Sequence, residues 1–442
     1  MLALKAMMNQ MSRKKYIKNP LKIVFFAFIA VCGFPLAAQN AQSYYVKATG
    51  FDINNGLAEN APFRTLGKAV EAARQSEIKI ITVIGELTEA SESALPAQLR
   101  DPLRESVFYI RNSGTVDIII TGKNNAVLSA SGMGKRVLKI EGNSRISIQN
   151  IVVSGGKSAS GGGMAVGKNA LVTLKDGAFI SGNTGTSGGG IFVSGAFTLA
   201  GGAVSKNTAT NGGGIFLAPA DDGGGILSMT GGEISSNQAA NAGGGVTISR
   251  GCLFTLDNGA IWGNKAQGGG GVAAAGVENS VSSFTMNNGV ISSNQAVWGS
   301  GVYLYEGVFV MTNGRINTNA AQDSGGGVWS YNGFFSLING TIANNKASRN
   351  GGGVCLSEGG TLDMTGGIIS GNSSVCGGGV YTGGYNTFTK TGGVIYGLAT
   401  AQSNKAGGNG DAAYKSNGAK HRRNTTLDTA FQFGSDSDEG WE

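Results

Sequence analysis

GGGIFVSGAFTLAGGAVSKN, residues 188–207, is one copy of a unit that returns along most of the chain. A glycine triplet with an apolar follower stands at 161–164, 188–191, 212–215, 243–246, 269–272, 325–328, 351–354 and 377–380, and Ser300 interrupts a variant at 299–302. An asparagine closes each unit, at Asn183, Asn207, Asn237, Asn264, Asn294, Asn319, Asn345 and Asn372, with Asn404 as a further member. Steps of 24 to 32 residues separate them. A period of this size marks a solenoid, a propeller or an array. Within 188–207 three short runs alternate apolar and other side chains: Ile191-Phe192-Val193, Phe197-Thr198-Leu199 and Ala203-Val204-Ser205. Such alternation is the mark of short strands with one buried face. A propeller blade needs roughly 40–50 residues, and a leucine-rich repeat would show a leucine ladder. The unit predicts an all-β chain, a right-handed parallel β-helix with three strands per coil.

The glycines and asparagines then take structural places. A tight corner needs positive φ or close backbone approach, which glycine meets without a Cβ in the way. Asparagine tolerates left-handed geometry and bonds locally, and its amide can stack on the equivalent residue of the next coil. A phosphate-cradling loop would need a GK[ST] signature or a helix after the glycines. Neither is present.

The paired GGG-[IV] and I-S-x-N elements, as in Ile234-Ser235-Ser236-Asn237 and Ile291-Ser292-Ser293-Asn294, resemble the GGA-[IL] and FxxN repeats of chlamydial-type polymorphic outer membrane proteins. Here Ile stands in place of that family's Phe. They are also similar to other bacterial surface proteins with repeats of the pectate-lyase-like fold. The resemblance covers roughly residues 140–410 and implies a surface-exposed or secreted solenoid.

Outside the repeats, Arg13, Lys14, Lys15, Lys18 and Lys22 precede an apolar run over 23–31 and then Pro35-Leu36-Ala37-Ala38. This is the pattern of a secretory signal, with cleavage expected after Ala38; lipidation at Cys32 is the alternative. The apolar run is too short to span a bilayer. Residues 1–38 carry six basic groups and no acidic ones, so 34 − 6 leaves 28 basic against 27 acidic residues beyond them. The basic balance of the whole chain therefore belongs to the export signal and does not point to nucleic acid.

Residues 39–149 read as an N-terminal cap and irregular first coils. The run "YYV…GFDINNG…PFRTLGKA" resembles the opening of many secreted parallel β-helix proteins, where a helix covers the exposed end of the solenoid. Leu66, Ala69, Val70 and Ala73 at helical spacing predict that helix, and an uncovered sheet end would invite aggregation. Asp52, Asn54 and Asn55 offer the hard oxygens a calcium ion takes, but a plain turn is the simpler reading. Residues 91–106 read as a loop, 150–405 as regular coils and 406–442 as a C-terminal cap and tail. In the tail Lys415, Lys420, His421, Arg422 and Arg423 read as a solvated loop. Of the cysteines beyond the signal, Cys252, Cys355 and Cys376 leave an odd count, and buried free thiols are expected. A membrane barrel would need many alternating segments of about ten residues, which the chain beyond residue 405 does not offer.

Two functional readings remain open. Lyases and hydrolases of the fold need carboxylates from adjacent coils at matching offsets, and a hydrolase needs two at a defined separation. Asp176, Glu233, Asp257 and Asp363 occupy differing offsets; Asp221-Asp222 is the adjacent pair, on an insert. The alternative is a non-catalytic, adhesin-like surface protein that binds glycans or cell-surface proteins. Tyr303, Tyr305, Trp329, Tyr331, Tyr381 and Tyr385 fall in, or just after, the strand that follows the glycine triplet. Aromatics are the usual anchors of contact surfaces, though core filling also accounts for aromatics in strands.

Overall fold

The coil that follows Gly188 sets the pattern. Ile191–Val193, Ala196–Leu199, Ala203–Ser205 and Thr208–Asn211 are strands. They pair in parallel with Ile215–Leu217, Ile226–Met229, Glu233–Ser235 and Gln238–Ala242 of the next coil. Repetition of this step makes a parallel β-helix: a 12-stranded sheet from the strands after the glycines, a 24-stranded sheet from the two middle strands, and sheets of four and five strands on the remaining side. The computed structural model describes residues 42–112, 117–219, 224–277, 280–397, 402–415 and 420–423. Residues 1–41, which include the expected export signal, Asp221, Asp222 and residues 424–442 lie outside these residues.

Most regular coils thus hold four strands, where alternation predicted three; in the coil that opens at Gly243 the fourth is reduced to bridges at Lys265 and Gly268. The fourth, Thr208–Asn211, buries Ala209 and leaves its other side chains exposed or half-buried. A strand with one small inward residue carries no apolar alternation, so it reads as a turn. Inside the helix, equivalent residues stack on one another. Phe254, Phe284, Phe309 and Phe335 form a file with ring centroids 4.7–4.8 Å apart, the spacing of paired strands. Stacked rings of this kind add about 0.5–1.5 kcal/mol each beyond the area they bury.

Within a triplet the glycines serve two needs. Gly188 and Gly212 open their triplets at φ +71° and +63°, where an L-residue is strained. Gly189 has no such φ, yet a Cβ there would fall 2.4 Å from the Thr208 carbonyl oxygen and 2.7 Å from that of Gly213. The corner therefore brings backbone against backbone, and any side chain would part the coils. Here the N–H groups also run together. Those of Gly188, Gly189, Gly190 and Ile191 donate in turn to the carbonyls of Asn211, Gly212, Gly213 and Gly214, at 2.8–3.1 Å. All four point to the following coil, and the same holds at Gly212, Gly243, Gly325 and Gly351 and their successors.

Beside this corner the asparagines form one file. Asn264 N–H and Asn264 Nδ2 both donate to Asn294 Oδ1, at 2.9 and 3.1 Å, and Nδ2 also donates to Ile234 O at 2.9 Å. The pattern runs unbroken from Asn183 through Asn207, Asn237, Asn264, Asn294, Asn319, Asn345 and Asn372 to Asn404. Every member is buried. From Asn207 onward each amide oxygen takes two donors and each amide nitrogen gives two bonds, while Asn183 Oδ1 accepts from Gly156 N–H, so a fully buried polar group is satisfied.

At the N-terminal end the helix Leu66–Gln75 buries Leu66, Ala69, Val70 and Ala73 and packs on the first strands. Thr65 caps it, its Oγ1 accepting from Lys68 N–H at 3.2 Å. Asp52 accepts from Arg64 N–H, Thr65 N–H and the Thr65 hydroxyl, which commits its carboxylate to this turn. Residues 91–106 are not a plain loop. Glu89–Glu92 is a short helix and Ala97–Leu99 a 3-10 turn. They carry Glu92 to the start of the longer helix, where it accepts from Leu66 N–H at 2.7 Å and Gly67 N–H at 3.3 Å. At the other end Lys420–Arg423 is a strand paired with Thr387–Lys390, so this basic run continues the sheet where a solvated loop was expected.

Candidate binding face

The strand after each glycine triplet decides which side chains face outward. Val302, Leu304, Val328, Val354 and Leu356 point inward and are fully buried. The residues between them point outward and align in register. One outward column reads Ala273, Tyr303, Trp329, Cys355, Tyr381, Tyr414, and the next reads Ala275, Tyr305, Tyr331, Ser357. Five of the six aromatics singled out in the sequence therefore lie in two adjacent columns on one face. Tyr385 follows, in the turn after Val380–Thr382, 88% exposed.

The rings stack along the helix axis. Tyr303 lies on Trp329 with centroids 4.8 Å apart and planes 14° from parallel. Tyr305 lies on Tyr331 at 5.1 Å and 8°, and Trp329 also meets Tyr331 at 5.6 Å. Tyr381 lies on Tyr414 at 5.5 Å. Tyr305 is 39% exposed, while Tyr303, Trp329, Tyr331 and Tyr381 are half-buried by one another. Burial, followed by the nearby Tyr305 and Tyr331 hydroxyls, pushes the Tyr303 phenol above its ordinary range. Three further members of the column escaped sequence reading: Phe192 and Phe216, stacked at 5.7 Å, and Tyr414. They share the offset of Tyr303, the second residue after the glycines, and that offset could have found them.

Both columns fall to short side chains in the same coil, at Cys355 and Ser357. Above them is a cleft of about 490 Å³, walled by Trp329 and Tyr381 and edged by Asp323, Arg349, Glu358 and Tyr385. Arg349 Nη1 holds Asp323 Oδ2 at 3.2 Å, and Ser324 Oγ donates to the other Asp323 oxygen at 2.7 Å. Cys355, 3% exposed, has its thiol pushed up first by burial and then by the Asp323 charge. It is an inert floor and not a nucleophile. Asn386, fully buried, also lines the cleft. Its Nδ2 donates to Leu356 O at 3.0 Å and to Gly383 O, and its Oδ1 has no donor among the described residues.

The acidic residues weighed as catalysts do not pair by stacking. Glu233 stands between Ala203 and Ala260, and Asp363 between Ser336 and Thr389. Glu233 accepts from Trp262 Nε1 at 3.2 Å, and Asp257 from Asn287 Nδ2 at 2.7 Å. Among the described residues no three His, Cys, Asp or Glu side chains converge as a metal ion would need, and no helix is long and apolar enough to cross a membrane. Cys252 and Cys355 are buried free thiols, and Cys376 is half-buried. No family profile, curated protein or solved structure matches this chain.

Proposed function

We propose that this chain is an exported, non-catalytic surface protein of adhesin-like kind, which holds glycans or cell-surface proteins on its outward aromatic columns. The observation that carries the reading is the pair of stacked columns, Tyr303–Trp329 and Tyr305–Tyr331, set on a flat strand face and not in the core. Aromatic rings held rigid by their neighbours lose little freedom on contact, which is why such residues dominate binding surfaces. Export rests on the basic, apolar and small-residue order of residues 1–38.

The test is a screen of glycans and cell-surface extracts against the exported chain, reading retention and product release together, with and without Ca²⁺. Retention without turnover, abolished by replacing Tyr305, Tyr331 and Tyr385 together with Ser at unchanged melting temperature, is the expected result. Released cleavage products would favour a polysaccharide lyase or hydrolase and turn attention to Asp221 and Asp222.

A further inference from the structure

The proposed function leaves the ligand class open, and the cleft over Cys355 narrows it. Trp329, Cys355 and Tyr381 are consecutive in register, so the two rings stand two coils apart, roughly 9.6 Å at the usual strand spacing. One ring held between two others needs van der Waals contact of about 3.5–4.0 Å on each side. A flat aromatic ligand would leave the gap loose, whereas a puckered, saturated ring is thicker and fills it. Its weakly positive C–H edges also suit the negative faces of Trp and Tyr. The neighbouring column drops to Ser357 at the same level, which widens the opening to two columns. A ring therefore has room to enter from solvent with its neighbours in a chain left outside.

The polar rim selects by charge and by hydrogen-bond sense. Asp323 and Glu358 face one cation, Arg349, which Asp323 already holds. The cleft thus carries one net negative charge and repels a carboxylate. The two carboxylates on the rim are hydrogen-bond acceptors. Acceptors in excess call for a ligand rich in hydroxyl donors. We propose that the cleft holds one uncharged pyranose ring of a glycan, seated between Trp329 and Tyr381 with its hydroxyls turned to Asp323 and Glu358. The inference rests on the reading of this face as a glycan-binding surface.

Cellohexaose, mannohexaose and hexagalacturonate are the probes, titrated into the exported chain while tryptophan fluorescence is followed. A neutral hexasaccharide should shift the emission and bind at least tenfold more tightly than the acidic one. Cys355→Phe continues the aromatic column through the gap; it should abolish that binding while the melting temperature holds or rises. Cys355→Met, which fills the gap with a flexible chain, repeats the test should the Phe variant misfold, with a loss of at least tenfold expected. Binding that survives either filled gap in a folded protein, or a preference for hexagalacturonate, would overturn the inference while the broader reading of the face stands. Retention of a cell-surface protein with no response to any of the three sugars would overturn it too, leaving the aromatic columns as a protein contact. No retention of glycan or protein at all would remove both.

Discussion

The two ends of one sheet face solve the same problem differently. Near the N-terminus the outward columns are Tyr109, Lys139, Ala165 and Arg111, Glu141; further along they are Tyr303, Trp329, Tyr381 and Tyr305, Tyr331. At the first end the groups answer one another. Lys139 Nζ lies 3.0 Å from Glu141 and 3.6 Å from Asp101, and 5.5 Å over the Tyr109 ring. The Tyr109 hydroxyl donates to Glu141. Burial raises the Glu141 pKa, but the bonds from Tyr109 and Lys139 outweigh it and hold the carboxyl below its usual range. This network is closed. At the second end rings contact rings, and where a ring is replaced by Cys355 the column stays open. A closed ionic cluster stabilises an end of the solenoid, and an interrupted apolar stack leaves a place for something else.

The largest effect should come from opening the closed end. Lys139→Met leaves Asp101, whose side chain is inaccessible, without its cation, and Glu141 with Arg111 alone at 4.0 Å. Unfolding in denaturant should show a loss of about 3–5 kcal/mol, the cost of stranding a buried charge. Trp329→Ser at the open end should cost about 1–2 kcal/mol, since it breaks exposed stacks, yet it should remove binding.

Next in size is a pH effect confined to the N-terminal end. Burial outweighs the bonds from Leu66 and Gly67 and raises the Glu92 carboxyl to about 8. Its folded pKa lies above the unfolded value, so the folded state holds the extra proton between about 4.5 and 8. Stability should be full near pH 4.5 and fall as pH rises to 8, by on the order of 2–4 kcal/mol. Glu92→Gln should flatten this slope in thermal melts at pH 5, 7 and 8.5, and sugar binding at a fixed temperature should not change.

Between the ends, Asn264→Ala interrupts the amide file. It strands the two donors of Asn237, takes a donor from Ile234 O and leaves Asn294 Oδ1 only the backbone N–H of residue 264, with an expected loss of about 1–3 kcal/mol. A change within about 0.5 kcal/mol would mean that water replaces the amide. The smallest stability effect belongs to Tyr385→Ser, within about 0.5 kcal/mol for so exposed a residue. Its sugar affinity should nonetheless fall, which a titration reads directly.

The glycine triplets and the closing asparagines made the coil legible, because each repeats at a fixed place and has a narrow set of physical uses. The fourth strand was hidden, since Thr208–Asn211 and its equivalents offer alanine where an apolar side chain would mark an inward position. Glu92 was hidden as well: nothing near Ser91 or Ser93 signals a partner at Leu66, 26 residues away. The aromatic offset was legible, down to the column that carries it. The cleft was not. Its defining residue is a cysteine that looks solitary in the chain, and only register sets it between Trp329 and Tyr381.

The glycine corner also gives the solenoid a direction. A peptide unit carries a dipole of about 3.5 D, and at each corner three or four of them point toward the following coil. Summed over the stack, they make one edge of the molecule electrically polar, as a helix is, while the sheets beside it are not. The chain meets both poles with charge. Arg136, buried, gives its Nε to Ser160 O and Gly161 O at 2.9 and 3.0 Å at the carbonyl pole. At the other pole, Asp411 replaces the middle glycine of the last corner. Cutting the array is therefore not symmetric. A piece that ends after an inner coil exposes a row of N–H groups and seeks anions, and a piece that begins there exposes carbonyls and seeks cations.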